Sequence, residues 1–225
     1  MTSSGQTSRI FVGRQREMGE LRAALKESFA GHGRIVILMG EPGIGKTRTA
    51  EELASHAETQ GAQVLWGRCY EEDGAPSYWP WVQAIRSYVE PRNSDQLRVD
   101  LGPNAADFAE IVPEIRRKLT DLETPPDLPP EQARFRLFES ITSFLKTLAR
   151  SKPIMLVLDD LHWADEPSLL LLQFLAQQLA DSHILVVGCY RDVELSRQHP
   201  LSETLARISR EADYQRHALR RMGPG

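Results

Sequence analysis

The sequence has little cysteine and no excess of positive charge. Two cysteines in 225 residues are too few for a disulfide framework, so a reducing cytoplasm is the expected compartment. Lysine and arginine together number 27 against 31 aspartates and glutamates, which gives a net charge of −4. This balance argues against a protein that binds nucleic acid or an anionic membrane through bulk charge. Direct nucleic-acid binding is therefore not expected.

Long hydrophobic runs are also missing from the sequence. Apolar runs such as 154–158 and 169–172 fall far short of the roughly 20 residues that span a bilayer. The first residues lack the basic and apolar stretches of a secretory signal, and no repeat of fixed period occurs. These absences predict a soluble protein without a membrane partner. A chain of 225 residues can form one large α/β domain or two small ones.

Strand-length and helix-length patterns alternate along most of the chain. Apolar and β-branched runs predict strands at 34–39, 62–67, 153–159 and 183–190, and a short fifth strand at 214–221. Apolar residues at helical spacing predict helices at 14–31, 46–60, 165–180 and 200–211. Asp165 is placed to cap the third of these helices. Alternating strands and helices are typical of a parallel sheet with right-handed crossovers.

The middle of the chain, about residues 69–152, is predicted to be an all-helical insert within this α/β pattern. Helical patterns occur at 81–89, 105–122 and 131–149. The prolines between residues 125 and 130 predict a stiff loop before the last of them. Because no flexible linker brackets the insert, we expect it to belong to the same domain as the strands.

The motif that decides the class of protein lies at residues 40–47, Gly-Glu-Pro-Gly-Ile-Gly-Lys-Thr. It matches the phosphate-loop pattern G-x-x-x-x-G-K-[ST] and lies between a predicted strand and a predicted helix. Glycines let backbone N–H groups approach phosphate oxygens, and the following helix carries roughly +0.5 charge at its N-terminus. The alternative is a glycine-rich turn that binds no ligand.

Within this phosphate loop, Lys46 is expected to contact the β- and γ-phosphates, and the Thr47 hydroxyl to ligate Mg²⁺. The predicted contacts to the nucleotide are Gly40, Pro42, Gly43, Ile44, Gly45, Lys46, Thr47 and Arg48.

Two carboxylates, Asp159 and Asp160, follow the apolar run at 154–158. The carboxyl ends of parallel strands meet at one edge of the sheet, so Asp159 is expected to face the phosphate loop and to hold Mg²⁺ through water. Asp160 is the candidate to orient or activate the attacking water. Aspartate is one methylene shorter than the glutamate often used for this task, which predicts slow hydrolysis or binding with little turnover. The alternative for this pair is a helix cap or a loop acid.

The fourth predicted strand is followed by Arg191. An arginine in this position can face the γ-phosphate and respond to its presence. The alternative is a surface arginine that pairs with Asp192 or Glu194.

Taken together, these motifs resemble the AAA+/STAND-type P-loop ATPases, as found in large LuxR-type bacterial transcriptional regulators and adenylate-cyclase-linked ATPases. The resemblance is carried by residues 11–17, by the phosphate loop, by Leu-Val-Leu-Asp-Asp-Leu-His-Trp-Ala-Asp at 156–165 and by Gly-Cys-Tyr-Arg-Asp at 188–192. It implies an α/β, three-layer P-loop NTPase with a five-stranded, mostly parallel sheet of order 5-1-4-3-2 and a helical insert between strands 2 and 3. In this group the N-terminal box lies near the adenine, which adds Val12, Gly13 and Arg14 to the expected nucleotide contacts.

The resemblance implies ATP and Mg²⁺ as ligands and slow ATP hydrolysis as the nucleotide switch of a bacterial signalling or transcriptional regulator. Other protein subunits or effector domains are then the expected partners, together with self-association. The group continues past the fifth strand into a helical lid, so the resemblance also implies that this chain is truncated before the lid. The alternative is a truncated module that binds nucleotide without turnover and acts only through partners.

From these motifs we expect one ATPase core over residues 10–221, with the helical insert inside it. A flexible leader is expected at 1–9 and a short tail at 222–225.

Overall fold

The computed structural model describes residues 14–71, 75–196 and 198–220. In this part of the chain the strands are β1 (Arg34–Gly40), β2 (Gln63–Arg68), β3 (Ile154–Asp159), β4 (Ile184–Arg191) and β5 (Tyr214–Ala218). The helices are α1 (Gln15–Phe29), α2 (Lys46–Thr59), α3 (Trp79–Val89), α4 (Ser94–Leu101), α5 (Ala105–Ile111), α6 (Pro113–Lys118), α7 (Pro130–Ser151), α8 (Glu166–Ala176) and α9 (Pro200–Glu211).

The described strands form one sheet of order β2-β3-β4-β1-β5, in which every neighbouring pair is parallel. This is the order 5-1-4-3-2 read from the other edge, so the fold class predicted from the sequence is confirmed. The helical insert lies between β2 and β3, as expected. Each strand runs in the same direction, so all five carboxyl ends lie at one edge of the sheet.

Both faces of the sheet are covered, which explains why the strands are apolar without alternation. In β1, Val36 and Leu38 belong to a core cluster built with α1 and α2. Their neighbours Ile35 and Ile37 point to the opposite face, where they join a second cluster built with α3 to α9. The sheet is therefore the middle layer of three, with one hydrophobic core on each side.

The helices α1 and α8 begin close to where the sequence predicts them. In α1 the buried residues Met18, Leu21 and Leu25 share one helical face. In α8 the Asp165 carboxylate accepts a hydrogen bond from the Ser168 N–H at 3.3 Å, which confirms the predicted N-cap. The helix ends at Ala176, earlier than the predicted residue 180.

The insert differs from its prediction in two places. The single helix predicted over 105–122 is wrong, because the chain breaks at Val112 (φ −124°, ψ 84°) between α5 and α6. Pro113 explains the break, since proline disfavours helical backbone in the residue before it and removes an N–H donor. The helix α4 was not predicted, and Asn93 starts it with a capping box to Gln96.

The predicted leader and tail, residues 1–9 and 222–225, lie outside the described residues. The fifth strand ends at Ala218 rather than at residue 221. Among the described residues, no helix combines the length and the apolar character needed to cross a membrane.

Candidate functional site

The phosphate loop joins the carboxyl end of β1 to the first turn of α2. Gly43 (φ +74°) and Gly45 (φ +97°) adopt left-handed backbone that side-chain-bearing residues rarely take, so glycine is required there. The first N–H groups of any helix have no intrahelical acceptor, and Gly45, the N-cap of α2, has no side chain to cap those of this helix. These donors and the positive end of the helix dipole face the same loop. The backbone therefore forms the anion-binding turn that the motif predicts.

Lys46 is buried at the base of the loop. Its Nζ donates hydrogen bonds to the carbonyl oxygens of Gly40 at 2.9 Å and Glu41 at 3.0 Å. Burial lowers the pKa of Lys46, and the nearby carboxylates of Asp160 and Asp159 only partly oppose this effect. A phosphate bound in the loop would supply the counter-charge that this ammonium group needs.

Thr47 and Asp159 are brought together across the sheet edge, although they are far apart in sequence. The Thr47 hydroxyl donates a hydrogen bond to Oδ2 of Asp159 at 2.9 Å, and Oδ1 accepts one from the Asp160 N–H at 3.0 Å. Asp159 is 1% exposed, and burial raises its pKa, with a further rise from the charge of Asp160. The sequence prediction that these two residues share one site agrees with this geometry.

Asp160 has left-handed backbone (φ 55°), and its side chain is held by a residue that sequence reasoning missed. Arg68, the last residue of β2, donates to Oδ2 of Asp160 from Nε at 3.0 Å and from Nη2 at 2.8 Å. The hydrogen bond to Asp160 raises the pKa of Arg68. Asp159 was located from the fact that the carboxyl ends of parallel strands meet at one edge of the sheet. The same argument applies to Arg68 at the end of β2, which is paired with Asp159 in the sheet.

Arg191 ends β4 and lies opposite Gly40 of the phosphate loop in the β1–β4 ladder. Its Nη1 donates to Oε1 of Glu194 at 3.0 Å, which is one of the pairings that the sequence left open. The other oxygen of Glu194 lies 3.2 Å from Nε2 of His162. Arg191 is therefore at the same sheet edge as the phosphate loop, with its guanidinium engaged by an acidic neighbour.

Two predicted contacts around the loop have different surroundings. Arg14 is 4% exposed and donates a hydrogen bond to the Ile44 carbonyl, while its Nη1 is buried without a hydrogen-bond partner among the described residues. Arg48 pairs with Glu51 and Glu52 on its own helix.

Val12 and Gly13, also predicted to contact the nucleotide, lie outside the described residues. Pro42 and Gly43 are exposed at the tip of the loop.

The chemistry of these side chains fits a magnesium nucleotide. Hydroxyl and carboxylate oxygens, as on Thr47 and Asp159, are the ligands that Mg²⁺ prefers, and Lys46 and the loop N–H groups suit phosphate. Within the described ranges, no cluster of three or more His, Cys, Asp or Glu side chains could hold a metal ion. A divalent cation here would therefore need further oxygens from the nucleotide or from water.

Comparison with known proteins gives one family and one curated relative. A family profile described as AAA ATPase domain matches residues 10–187. An uncharacterised protein of Rhizobium meliloti (strain 1021) is 22% identical over 204 residues, which cover 83% of this chain and 19% of that protein. The chain thus spans about a fifth of the length of the curated relative it matches.

Solved structures with a similar arrangement of elements are more distant in sequence. A chain in the structure of Drosophila ORC bound to DNA is 13% identical, with a TM-score of 0.46 over 92% of this chain and 93% of that one. A STAND protein with a tetratricopeptide repeat sensor from Pyrococcus horikoshii is 16% identical, with a TM-score of 0.47 over 94% of this chain and 23% of that one.

Proposed function

The chain belongs to the AAA ATPase domain family, and we propose that it binds Mg-ATP at the sheet edge formed by the phosphate loop and Asp159. The family match confirms the resemblance to AAA+/STAND-type P-loop ATPases that the motifs predicted. The observation that carries the proposal is the 2.9 Å hydrogen bond from Thr47 to Asp159. It joins the two predicted metal ligands directly beside a loop whose backbone suits phosphate.

In this function each group has a separate task. The loop N–H groups and Lys46 bind the phosphates, Thr47 and Asp159 hold Mg²⁺, and Arg14 fixes the loop through the Ile44 carbonyl. Mg²⁺ supplies neutralisation of phosphate charge when it is bound. Arg191 responds to the terminal phosphate, and Asp160 orients the attacking water.

We propose slow hydrolysis rather than fast turnover, because the groups that would act on the terminal phosphate are engaged elsewhere. Arg68 holds one oxygen of Asp160, and Glu194 holds Arg191. Hydrolysis requires both contacts to open. The same observation favours the second candidate, a module that binds nucleotide without turnover and acts only through its partners.

The proposed biological role is the nucleotide switch of a larger signalling or transcriptional regulator in the cytoplasm. The sequence resemblance supports this role. The curated relative, of which the chain matches 19%, supports only the placement of such a domain within a larger protein. Other subunits or effector domains would be its partners, with self-association on ATP as a further expectation from the family. Light scattering of the protein with and without Mg-ATP tests the last point.

Calorimetric titration with Mg-ATP tests the binding proposal. We expect the wild type to bind and Lys46→Ala to lose about tenfold or more in affinity, because a charge-assisted contact to phosphate contributes about 1.5–3 kcal/mol. Lys26→Ala is the matched control, since Lys26 is an exposed lysine of α1. If the wild type bound Mg-ATP no better than Lys46→Ala, the proposal would be wrong.

Phosphate release separates the two candidates. Steady release by the wild type that disappears in Asp160→Asn supports hydrolysis, with Asp160 acting on water. Binding without release in the wild type supports the second candidate.

A further inference from the structure

His162 is a buried group at this sheet edge for which the proposed function has no task. It follows β3 in the short 3₁₀ turn Leu161–Trp163, and its imidazole is 0% exposed. Neither ring nitrogen makes a hydrogen bond of good geometry within the described residues. Its nearest charged neighbours are Glu194, 3.2 Å from Nε2, and Asp160, 3.9 Å from the same atom. Buried polar groups without partners are rare enough to need an explanation.

Glu194 is the group that His162 faces, and it is shared between two partners. Oε1 accepts the hydrogen bond from Arg191, while Oε2 is buried and makes no hydrogen bond among the described residues. The carboxylate therefore points one oxygen at the guanidinium and the other at the imidazole. A small rotation of Glu194 would exchange the first contact for a hydrogen bond to the second.

This arrangement matters because the Arg191 guanidinium cannot bind Glu194 and a phosphate equally well at the same time. When the guanidinium moves to a phosphate, Glu194 loses its charged partner in a half-buried position. A carboxylate left without a donor there costs free energy. With its proton on Nε2, His162 can donate to Glu194, whose Oε2 is 3.2 Å from that nitrogen, and this replacement lowers the cost.

The backbone of His162 is fixed independently of this exchange. The Leu201 N–H donates to Nδ1 of His199 at 3.2 Å, so the proton of that ring is on Nε2, which donates to the His162 carbonyl at 3.1 Å. His199 thereby ties the turn of His162 to the start of α9. The turn that carries the His162 imidazole is therefore held by a contact that involves neither Glu194 nor Arg191.

We infer that His162 and Glu194 form a positioning pair that sets how readily Arg191 leaves Glu194 for the terminal phosphate of a bound nucleotide. The inference rests on the proposed function, since it assumes that nucleotide binds in the phosphate loop. It gives the two residues opposite effects. Glu194 holds Arg191 back, and His162 makes its release easier by donating a hydrogen bond to Glu194.

The test is the ratio of ATP affinity to ADP affinity, measured by calorimetry in Mg²⁺ for each variant. His162→Phe removes the donor, so we expect ATP affinity to fall by about tenfold while ADP affinity stays unchanged. His162→Gln retains an N–H donor and is expected to recover most of the loss. Glu194→Gln weakens the hold on Arg191 and is expected to raise ATP affinity several-fold relative to ADP.

His183→Phe is the matched control. His183 precedes β4 at the opposite edge of the sheet, and its Nδ1 lies 2.9 Å from the Phe29 carbonyl. Its substitution is expected to lower stability without changing the ratio. Thermal unfolding of each variant checks folding. If His162→Phe fails to fold, the rise in the ratio expected for Glu194→Gln, together with the nearly unchanged ratio expected for His162→Gln, still decides the matter.

Two failures can be told apart. If the wild type binds neither nucleotide, both the proposed function and the inference about His162 and Glu194 are wrong. If the wild type binds ATP, but ATP and ADP affinities fall together in the His162 variants or the ratio stays constant in Glu194→Gln, only the inference is overturned. A purely structural role for His162 predicts that second result.

Discussion

Arg68 donates two hydrogen bonds to a single oxygen of Asp160, from Nε at 3.0 Å and from Nη2 at 2.8 Å. The two residues end and follow neighbouring strands, and 92 positions separate them in the sequence. Asp160 is the residue to which we assign the attacking water. One of its two oxygens is thus already engaged by a cation, and turnover depends on how easily that contact opens.

Replacing Arg68 is expected to speed hydrolysis. In Arg68→Gln the carboxylate of Asp160 is free to turn toward water, because the two hydrogen bonds that the guanidinium donates to its Oδ2 are lost. Since Arg68 is half exposed, the pair is worth only about 1 kcal/mol, which corresponds to a rise in kcat of about fivefold. Phosphate release at saturating Mg-ATP measures it.

Arg98→Gln is the control for this experiment, because Arg98 forms an exposed ion pair with Asp121 in the insert. It is expected to leave kcat unchanged. A fall in kcat for Arg68→Gln would contradict the prediction and would assign Arg68 to phosphate binding instead.

The parts of the site that could be predicted from sequence are those fixed by local pattern and strand direction. The phosphate loop is one contiguous motif, and Asp159 follows an apolar run of strand length, so parallel strands suffice to bring them together. Arg68 was missed because the predicted second strand ended at Gly67, one residue short. Its last residue becomes strand only through pairing with Asp159 of β3, a contact that lies outside any local window.

The contact of Glu194 with His162 could not be predicted for a similar reason. It depends on the 3₁₀ turns that follow β3 and β4. In such short turns the side-chain positions are set by tertiary packing and not by a regular spacing of apolar residues in the sequence. In the insert, the apolar spacing over 105–122 resembled one helix, and a proline at its seam was enough to divide it. The helical spacing of apolar residues does not by itself show where one helix ends and the next begins.

Gly67 is expected to tolerate no side chain. A Cβ atom at this position would lie 1.9 Å from the backbone carbonyl oxygen of Pro80, because the first turn of α3 packs directly on β2. Gly67→Ala is therefore expected to lower the free energy of unfolding by about 3 kcal/mol or to prevent folding. Urea denaturation measures the change.

Gly19→Ala is a matched control of opposite sign. Nothing lies within 4 Å of a Cβ at Gly19, which is in the middle of α1. Alanine is the better helix former, so the free energy of unfolding is expected to rise by about 1 kcal/mol. Equal effects of the two substitutions would show that α3 does not press on β2.

Asp165 is expected to stabilise more than the helix it caps. Its carboxylate accepts a hydrogen bond from the Ser168 N–H in α8 and another, at 3.2 Å, from the Tyr78 N–H at the start of α3. Asp165→Ala is expected to cost about 2–3 kcal/mol, more than the roughly 1 kcal/mol typical of a lost N-cap. Asp165→Asn keeps an acceptor and is expected to cost less than half as much. If the alanine variant lost no more than an isolated cap, the contact to Tyr78 would contribute nothing.

The pKa of Asp159 predicts how stability depends on pH. Burial raises this pKa above its value in the unfolded chain, with a further rise from Asp160, so the folded protein binds the proton more tightly. The stability contributed by this group is present at low pH and is lost as pH rises through the folded pKa. At pH values above this pKa, the protein without nucleotide carries an ionised, buried carboxylate that opposes folding.

Asp159→Asn removes this charge and keeps an oxygen that can accept the Thr47 hydrogen bond. We expect the variant without nucleotide to be more stable than the wild type above the pKa of Asp159, and the difference to vanish as pH falls below that pKa. Asp121→Asn should behave in the opposite sense, because the hydrogen bond from Arg98 lowers the pKa of Asp121. Urea denaturation between about pH 2 and pH 8 measures both, since the contribution of Asp121 is lost only below its ordinary pKa.

Added Mg-ATP is expected to reverse the order of stability of the wild type and Asp159→Asn. The cation offsets the buried charge of the wild type, so added Mg-ATP is expected to stabilise the wild type far more than Asp159→Asn. If Asp159→Asn without nucleotide were less stable than the wild type at every pH measured, the ionised carboxylate of Asp159 would favour folding instead of opposing it. Equal stabilisation of both proteins by Mg-ATP would remove Asp159 from the metal site.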